Sequence, residues 1–337
     1  STIKSKRNEM NFSKKYSNEH NAKSGKVSDK WDLYLEAYDE IVNEYCEDAR
    51  PINTLEIGIQ NGGSLETIAA CLPNAINIVG CDINTDCDSL TFADKRISVA
   101  IGDATEAKII DKLNLICNNY DIIIEDGSHK SSDIIKSFII YFDKLNPGGV
   151  YIAEDLHCCY WSEYEGGLGH PYSGIEFFKG LADCLNSNHW GRSDIDPEEY
   201  MNQIATEYGV IFTKKLLSNI LSIEFRDSMC IIRKAEVDQL SRICKRVIRG
   251  HEEEVVSGHI DLQSDGIAYF NQDHLTWKSI QTLDIECQEL KEEIINMKNE
   301  KENIENEMHI LYASRSWRIT KPLRYLSNSI NKIFRIK

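Results

Sequence analysis

Two short runs concentrate groups that handle protons and cations: Asp126-Gly127-Ser128-His129, after the apolar run Tyr120 to Ile124, and Glu154-Asp155, after Gly149-Val150-Tyr151-Ile152-Ala153. A third, Leu55-Glu56-Ile57-Gly58-Ile59-Gln60-Asn61-Gly62-Gly63-Ser64, sets a carboxylate ahead of a glycine turn. Carboxylates clustered without a cation raise one another's pKa, so Asp126, Glu154 and Asp155 favour a hard divalent ion with oxygen ligands, Mg²⁺ being the usual choice. A cation there lowers the pKa of a bound hydroxyl. His129, with an unperturbed pKa of about 6.5, is then a competent base near neutral pH. The competing reading makes Asp126 and Glu154 helix caps and His129 a surface residue. Placement of all three runs at consecutive strand ends favours the chemical reading.

The glycine turn at 58–63 lets backbone approach a ligand closely while the next helix offers its amino end. By itself it is equally a tight strand-to-helix turn. Asp82, in Val79-Gly80-Cys81-Asp82-Ile83, adds an acid at the end of the second strand, where it can accept both hydroxyls of a ribose. The spacing Gly58-xxx-Gly62-Gly63 departs from the GxGxxG of a pyrophosphate site, and Glu56 would repel a pyrophosphate but welcome a cationic ligand. S-adenosylmethionine, with its ammonium and sulfonium, meets that requirement. Asp103, in Ile101-Gly102-Asp103-Ala104, falls near the adenine or caps a helix over 104–110, and both roles can hold at once.

These groups need a scaffold that releases them side by side. Apolar runs at 54–59, 76–81, 97–101, 121–125 and 149–153 alternate with helix-length segments such as 64–72 and 131–145, the pattern of βαβ units around a parallel sheet. Further strands are expected at 208–213, 219–224 and Met229 to Ile232, closing the domain near residue 234. Trp31, Leu35, Tyr38, Ile41, Val42 and Tyr45 have helical spacing. Residues 1–27, polar and rich in Lys, Asn and Ser, read as a loosely ordered arm.

With 337 residues and 42% apolar content the chain can bury a full core. No stretch approaches the roughly 18 consecutive apolar residues of a spanning helix, and Ser1 to Asn11 lacks the apolar core of a signal peptide. Eleven cysteines without a CxxC pair read as reduced cytosolic thiols. Cys158-Cys159 lacks the second pair of a metal site. A net charge of −16 argues against general nucleic-acid binding.

Residues 28–234 resemble the class I S-adenosylmethionine-dependent O-methyltransferases of macrolide sugars, the mycinamicin and tylosin type, with cephalosporin-hydroxylase-like proteins as near relatives. The likeness rests on Ser28-Asp29-Lys30, the Leu55 to Ser64 turn, Gly80-Cys81-Asp82, the Asp126 to His129 tetrad, Pro147-Gly148-Gly149, and Glu154-Asp155-Leu156 leading to Tyr160-Trp161. It implies an α/β fold, a Rossmann-like methyltransferase sheet with flanking helices. It also implies Mg²⁺ on Asp126, Glu154 and Asp155, His129 as base, and S-adenosylmethionine among Glu56, Gly58, Gly62, Ser64, Asp82, Asp103 and Asp126. The acceptor is then a sugar hydroxyl, and Tyr160, Trp161 and Tyr164 form an aromatic cover over it or simply pack. A non-catalytic assembly protein with a methyltransferase-like domain is the alternative; the intact acid-and-base set favours the enzyme. Hydroxylation would need a redox centre that the residues do not supply.

Past a helical extension at 235–280 the pattern changes. Leu283, Leu290, Met297, Ile304 and Leu311 recur every seven residues, with Cys287, Ile294 and Met308 between them and Lys301 as the charged exception. Residues 281–312 thus predict a coiled coil and a homo-oligomer, against a long helix folded back on the domain. Residues 313–337 hold seven basic residues, Arg315, Arg318, Lys321, Arg324, Lys332, Arg335 and Lys337, and no acid. Such a basic amphipathic tail suits an anionic membrane face or an acidic partner protein. The segment 314–324 resembles tails on bacterial surface-polysaccharide proteins, including glycosyltransferases. That resemblance implies a glycan acceptor in O-antigen or capsule synthesis, a glycosyltransferase partner, and a cytoplasmic location at the inner membrane face.

Overall fold

Seven apolar segments build one sheet. Five are parallel strands: β1 (Ile52–Ile57), β2 (Ala75–Asp82), β3 (Ile97–Ile101), β4 (Tyr120–Glu125) and β5 (Leu145–Ala153). A hairpin of β6 (Ile220–Arg226) and β7 (Met229–Lys234) completes it, β7 running antiparallel to β5 and giving the order β3-β2-β1-β4-β5-β7-β6. The computed structural model describes residues 12–20, 25–47, 50–190, 195–240, 245–258, 276–324 and 326.

Central parallel strands are covered on both faces, so they are apolar throughout; β4 is buried at every position. On one face, α1 (Phe12–His20), α2 (Asp32–Glu47) and α3 (Gly63–Cys71) pack with Ile78, Ile122, Ile124, Val150 and Ile152. The other carries α4 (Ala107–Ile116), α5 (Ser131–Tyr141), α6 (Gly174–Leu185), α7 (Pro197–Ala205) and α8 (Lys214–Ser218) against Leu55, Val79, Ile123 and Tyr151. Odd and even strand residues thus serve different cores, as the two-residue period of a strand demands. Phe138 of α5 centres the second core, its ring 5.0 to 5.7 Å from those of Phe142, Tyr151, Phe177 and Phe178.

Three expectations change, the first being the helical extension over 235–280, since residues 245–258 carry no helix. Phe12–His20 is helix rather than loose arm, because Phe12 and Tyr16 are buried and Phe12 stacks 4.7 Å from Tyr38. Residues 210–213 are not a strand: Asn202 of α7 holds the backbone N–H and C=O of Phe212, so its polar groups are satisfied away from the sheet. A short helix, α9 (Val237–Leu240), follows β7.

A second unit begins near residue 272. Its α10 (Thr276–Ala313) is a single 38-residue helix, about 57 Å long at 1.5 Å per residue. Leu290, Ile294, Met297, Ile304, Met308 and Leu311 are exposed along it at the heptad positions; the side chain of Leu283 lies outside the described residues. Ser314 caps α11 (Arg315–Ile319), and the Arg324 guanidinium stacks 3.4 Å from the centre of the Trp317 ring. Lys332, Arg335 and Lys337 of the basic tail lie outside the described residues. Among the described residues no helix is long and apolar enough to cross a membrane.

Candidate active site

The carboxyl ends of β1, β2, β4 and β5 stay stitched together beyond the strands. Gly58 N–H donates to the Cys81 carbonyl, Asp126 N–H to Ile57 and Glu154 N–H to Glu125, each at 2.8 to 2.9 Å. The glycine turn and the two acidic runs therefore leave the sheet side by side. Gly58 has φ 86°, and a Cβ there would lie 2.0 Å from the Asp126 carbonyl oxygen, so only glycine lets the β1 and β4 loops meet. Between these loops lies a cleft of about 220 Å³ lined by Gly58, Asp82, Asp103, Glu125, Asp126 and Gly127, among others.

Asp82 Oδ2 accepts the Ile59 and Gln60 amides at 2.9 Å, and its Oδ1 the Asn84 amide at 2.8 Å. It holds the glycine turn to β2 as well as facing the cleft. Asp103 Oδ1 accepts both Thr105 N–H (2.8 Å) and its hydroxyl (2.7 Å), a local turn ahead of α4, whose N-cap is Glu106. Glu56, Gly62 and Ser64, expected around a cofactor, do not line the cleft. Glu56 is buried, accepts the Ser64 hydroxyl and faces the α2 side.

The cation that Glu56 meets belongs to the chain. Lys30 reaches in with 2% of its side chain exposed, its Nζ 2.7 Å from Asp126 Oδ2, 2.8 Å from Glu154 Oε2 and 3.6 Å from Glu56 Oε1. Three carboxylates around one ammonium hold Lys30 protonated, its pKa well raised despite burial, with Glu154 contributing most. Burial pushes Glu56 and Glu154 upward against the pull of Lys30. The other oxygen of Glu154 receives the Tyr38 hydroxyl, so both its oxygens are engaged.

Asp155 is held from one side only. Its Oδ1 accepts Trp31 Nε1–H at 3.1 Å and lies 2.9 Å from the Tyr34 hydroxyl, which in turn accepts the Asp155 amide at 3.0 Å. Oδ2 faces His129 Nε2 at 3.5 Å. Asp126, His129 and Asp155 each offer a ligand atom within 4.8 Å of the others, half-buried, a set of two carboxylates and an imidazole that suits a divalent cation. The structure thus unites Asp126, His129 and Asp155, while Glu154 stands on the Lys30 side of Asp126.

Backbone strain collects here. All five non-glycine residues with positive φ among the described residues, Gln60, His129, Asp155, Glu165 and Ser228, lie in loops at this end of the sheet. Each costs of order 1 kcal/mol, and such strain persists where surrounding contacts over-determine it. Asp155 is fixed by Tyr34, and Glu165 accepts the Ser132 amide at 2.9 Å.

Four contributors escape sequence inspection: Lys30, Tyr34, Tyr38 in its polar role, and Glu125. Lys30 stands in the sequence only as part of the Ser28-Asp29-Lys30 motif, and Tyr34 carries no signal, because their partners lie 96 to 124 residues away. Glu125, fully buried in the cleft wall with Oε2 unpartnered, reads as the last residue of a strand; burial lifts its carboxyl to about 8.

No protein-family model matches the chain. It is 29% identical over 169 residues to 8-demethyl-8-α-L-rhamnosyl tetracenomycin-C 2'-O-methyltransferase of Streptomyces olivaceus, covering 47% of this chain and 43% of that protein. It is 30% identical over 159 residues to mycinamicin VI 2''-O-methyltransferase of Micromonospora griseorubida and 32% identical over 159 residues to demethylmacrocin O-methyltransferase of Streptomyces fradiae, covering 44% of this chain and 38% of each. The chain is similar to sugar O-methyltransferases. It spans about two fifths of the length of these curated relatives. Among solved structures, the MycE methyltransferase of the mycinamycin pathway, in complex with Mg and SAH, superposes with a TM-score of 0.53 at 22% identity, over 67% of this chain and 54% of that one. The sheet order and flanking helices are accordingly those of the Rossmann-like methyltransferase fold.

Proposed function

We propose that this chain is a Mg²⁺-dependent O-methyltransferase that moves the methyl group of S-adenosylmethionine to a sugar hydroxyl. The observation that carries this is the convergence of Asp126, His129 and Asp155 within 4.8 Å at the mouth of the Gly58–Asp82–Asp103 cleft. Support comes also from the curated relatives, O-methyltransferases whose names carry glycosylated acceptors.

The residues fit both groups. The cleft is glycine-walled and acidic, suited to a cationic nucleoside, and Lys30 Nζ shows that the Asp126–Glu154 pair accepts a cation at 2.7 and 2.8 Å. Asp126 and Asp155 are the carboxylates that would hold Mg²⁺, while Glu154, expected as a third ligand, has its oxygens engaged by Lys30 and Tyr38. When bound, S-adenosylmethionine supplies an electrophilic methyl and Mg²⁺ lowers the pKa of the hydroxyl. His129 is the residue placed to take the hydroxyl proton, its Nε2 3.5 Å from Asp155 Oδ2. Gly58 and the paired strand ends hold the reacting groups in line, the source of most of the rate gain.

The acceptor glycan is read as bacterial surface polysaccharide from the carboxyl-terminal sequence alone. The same sequence supports a homo-oligomer through the exposed heptad stripe of α10, and a basic tail contacting an anionic membrane face or a glycosyltransferase. Calorimetric titration of S-adenosylmethionine with and without Mg²⁺, followed by mass spectrometry of products from polysaccharide fragments and from glycosylated small molecules, tests the reading. Absence of cofactor binding overturns it, and the product identities separate the two acceptor types.

A further inference from the structure

The apolar stripe of α10 is bordered by charges that select the surface it fits. With Cys287, Ile294, Lys301 and Met308 at the a positions of the heptad, Leu290, Met297, Ile304 and Leu311 fall at d, and all eight are exposed along the helix. The g positions are then Glu293, Glu300 and Glu307, and the e positions Lys291, Lys298 and Glu305. In a coiled coil the e and g residues border the seam and meet across it, which sets partner choice and direction.

These borders discriminate between the two ways of pairing α10 with a copy of itself. Antiparallel helices set g against g. Glutamate fills every g position between Leu290 and Leu311, so each antiparallel register opposes Glu to Glu. Parallel helices in register set each g residue against the e residue of the partner's next heptad, and Glu293 then meets the partner's Lys298. Glu300 faces the partner's Glu305, a repulsive pair, but a lysine stands at that level. Lys301 Nζ lies 3.7 Å from Glu305 Oε1 of its own helix, and from an a position it borders the partner's Glu300 as well. A single polar residue at a fixes register, and Ile294 at a with Leu290 at d favours two strands.

We propose that α10 binds a second copy of this chain as a parallel, in-register, two-stranded coil. This rests on the homo-oligomer reading and adds to it the partner's direction, register and number. A stripe meant for an unlike surface has no need of e and g residues that complement each other. Parallel pairing has a consequence at the carboxyl end of α10. The two α11 segments leave side by side, so Arg315, Arg318, Lys321 and Arg324 of both chains gather at one end, with no acid in residues 313–324 to offset them.

Sedimentation equilibrium of the full chain at low salt tests this, with a monomer–dimer equilibrium expected. Glu293→Lys should weaken the dimer about tenfold, because two-fold symmetry repeats its contact with Lys298, and the double variant Glu293→Lys/Lys298→Glu should recover most of the loss. Antiparallel pairing gives the opposite sign: Glu293→Lys relieves a glutamate contact and tightens the dimer. A short bismaleimide should join two chains through Cys287, which faces its own copy only in the parallel register, and Cys287→Ser should abolish that product. A dimer that Glu293→Lys tightens or leaves unchanged, no product through Cys287, or a trimer overturns the parallel two-stranded coil and leaves a homo-oligomer standing. A chain that stays monomeric overturns the homo-oligomer reading together with it.

Discussion

Lys30 Nζ lies 2.8 Å from Glu154 Oε2, across 124 residues of sequence and with 2% of either side chain exposed. The chain thereby provides a cation for acids that would otherwise repel one another. Removing it leaves buried Glu56 and Glu154 and half-buried Asp126 without their counter-ion. Lys30→Met should cost about 3–5 kcal/mol of stability, the usual effect of breaking a buried pair. Millimolar Mg²⁺ should restore more of that loss in the variant than it adds to the wild type. Urea denaturation with EDTA and with Mg²⁺ measures both; a variant as stable as the wild type in EDTA would show that Lys30 is not the counter-ion.

His129 is placed for proton transfer and held in the left-handed region at φ 58°. His129→Ala should lower turnover by about 10²–10⁴-fold, the range of general-base contributions, while S-adenosylmethionine affinity stays within error. Full turnover in the variant would assign the proton to another group.

Glu125 provides a pH signature. Burial raises its carboxyl from 4.5 to about 8 in the folded chain. A raised folded pKa means the protonated acid is the one the fold prefers. Stability is therefore unpenalised below the unfolded value, falls as pH climbs through the window between the two, and levels off above about 8. Glu125→Gln cannot ionise, so its advantage over the wild type should grow by up to ~1 kcal/mol per pH unit between about pH 5 and 8. Paired denaturation curves in EDTA read this directly, because all other titrating groups cancel. A difference that does not change with pH contradicts it.

The exposed apolar stripe of α10 predicts self-association. A chain ending near residue 280 should sediment as a smaller species than the full chain while keeping cofactor binding. An unchanged sedimentation coefficient per monomer mass ratio, meaning the same oligomer, would free that stripe from any role in assembly.

Strand positions were legible because parallel strands buried on both faces must be apolar without interruption, as at 120–124 and 150–153, and because helices between them carry their own spacing. The segment at 208–213 was misread for the same reason: an apolar run looks alike whether it joins a sheet or plugs a helical layer with Phe212. Phe12–His20 went unrecognised as a helix since its two burying rings are diluted by polar neighbours.

Local order along the chain determined which groups leave the strand ends: Asp82, Asp126, His129, Glu154 and Asp155 follow apolar runs, and chain direction alone sends them to one edge. Tertiary packing decided what those groups meet. Lys30 and Trp31 lie just ahead of α2 and Tyr34 in its first turn, and only the docking of that segment across β1, β4 and β5 brings an ammonium between Asp126 and Glu154 and an indole to Asp155. Spacing within a segment encodes which face is apolar. It carries no record of a partner more than a hundred residues away, whose position depends on how separate layers close over the sheet.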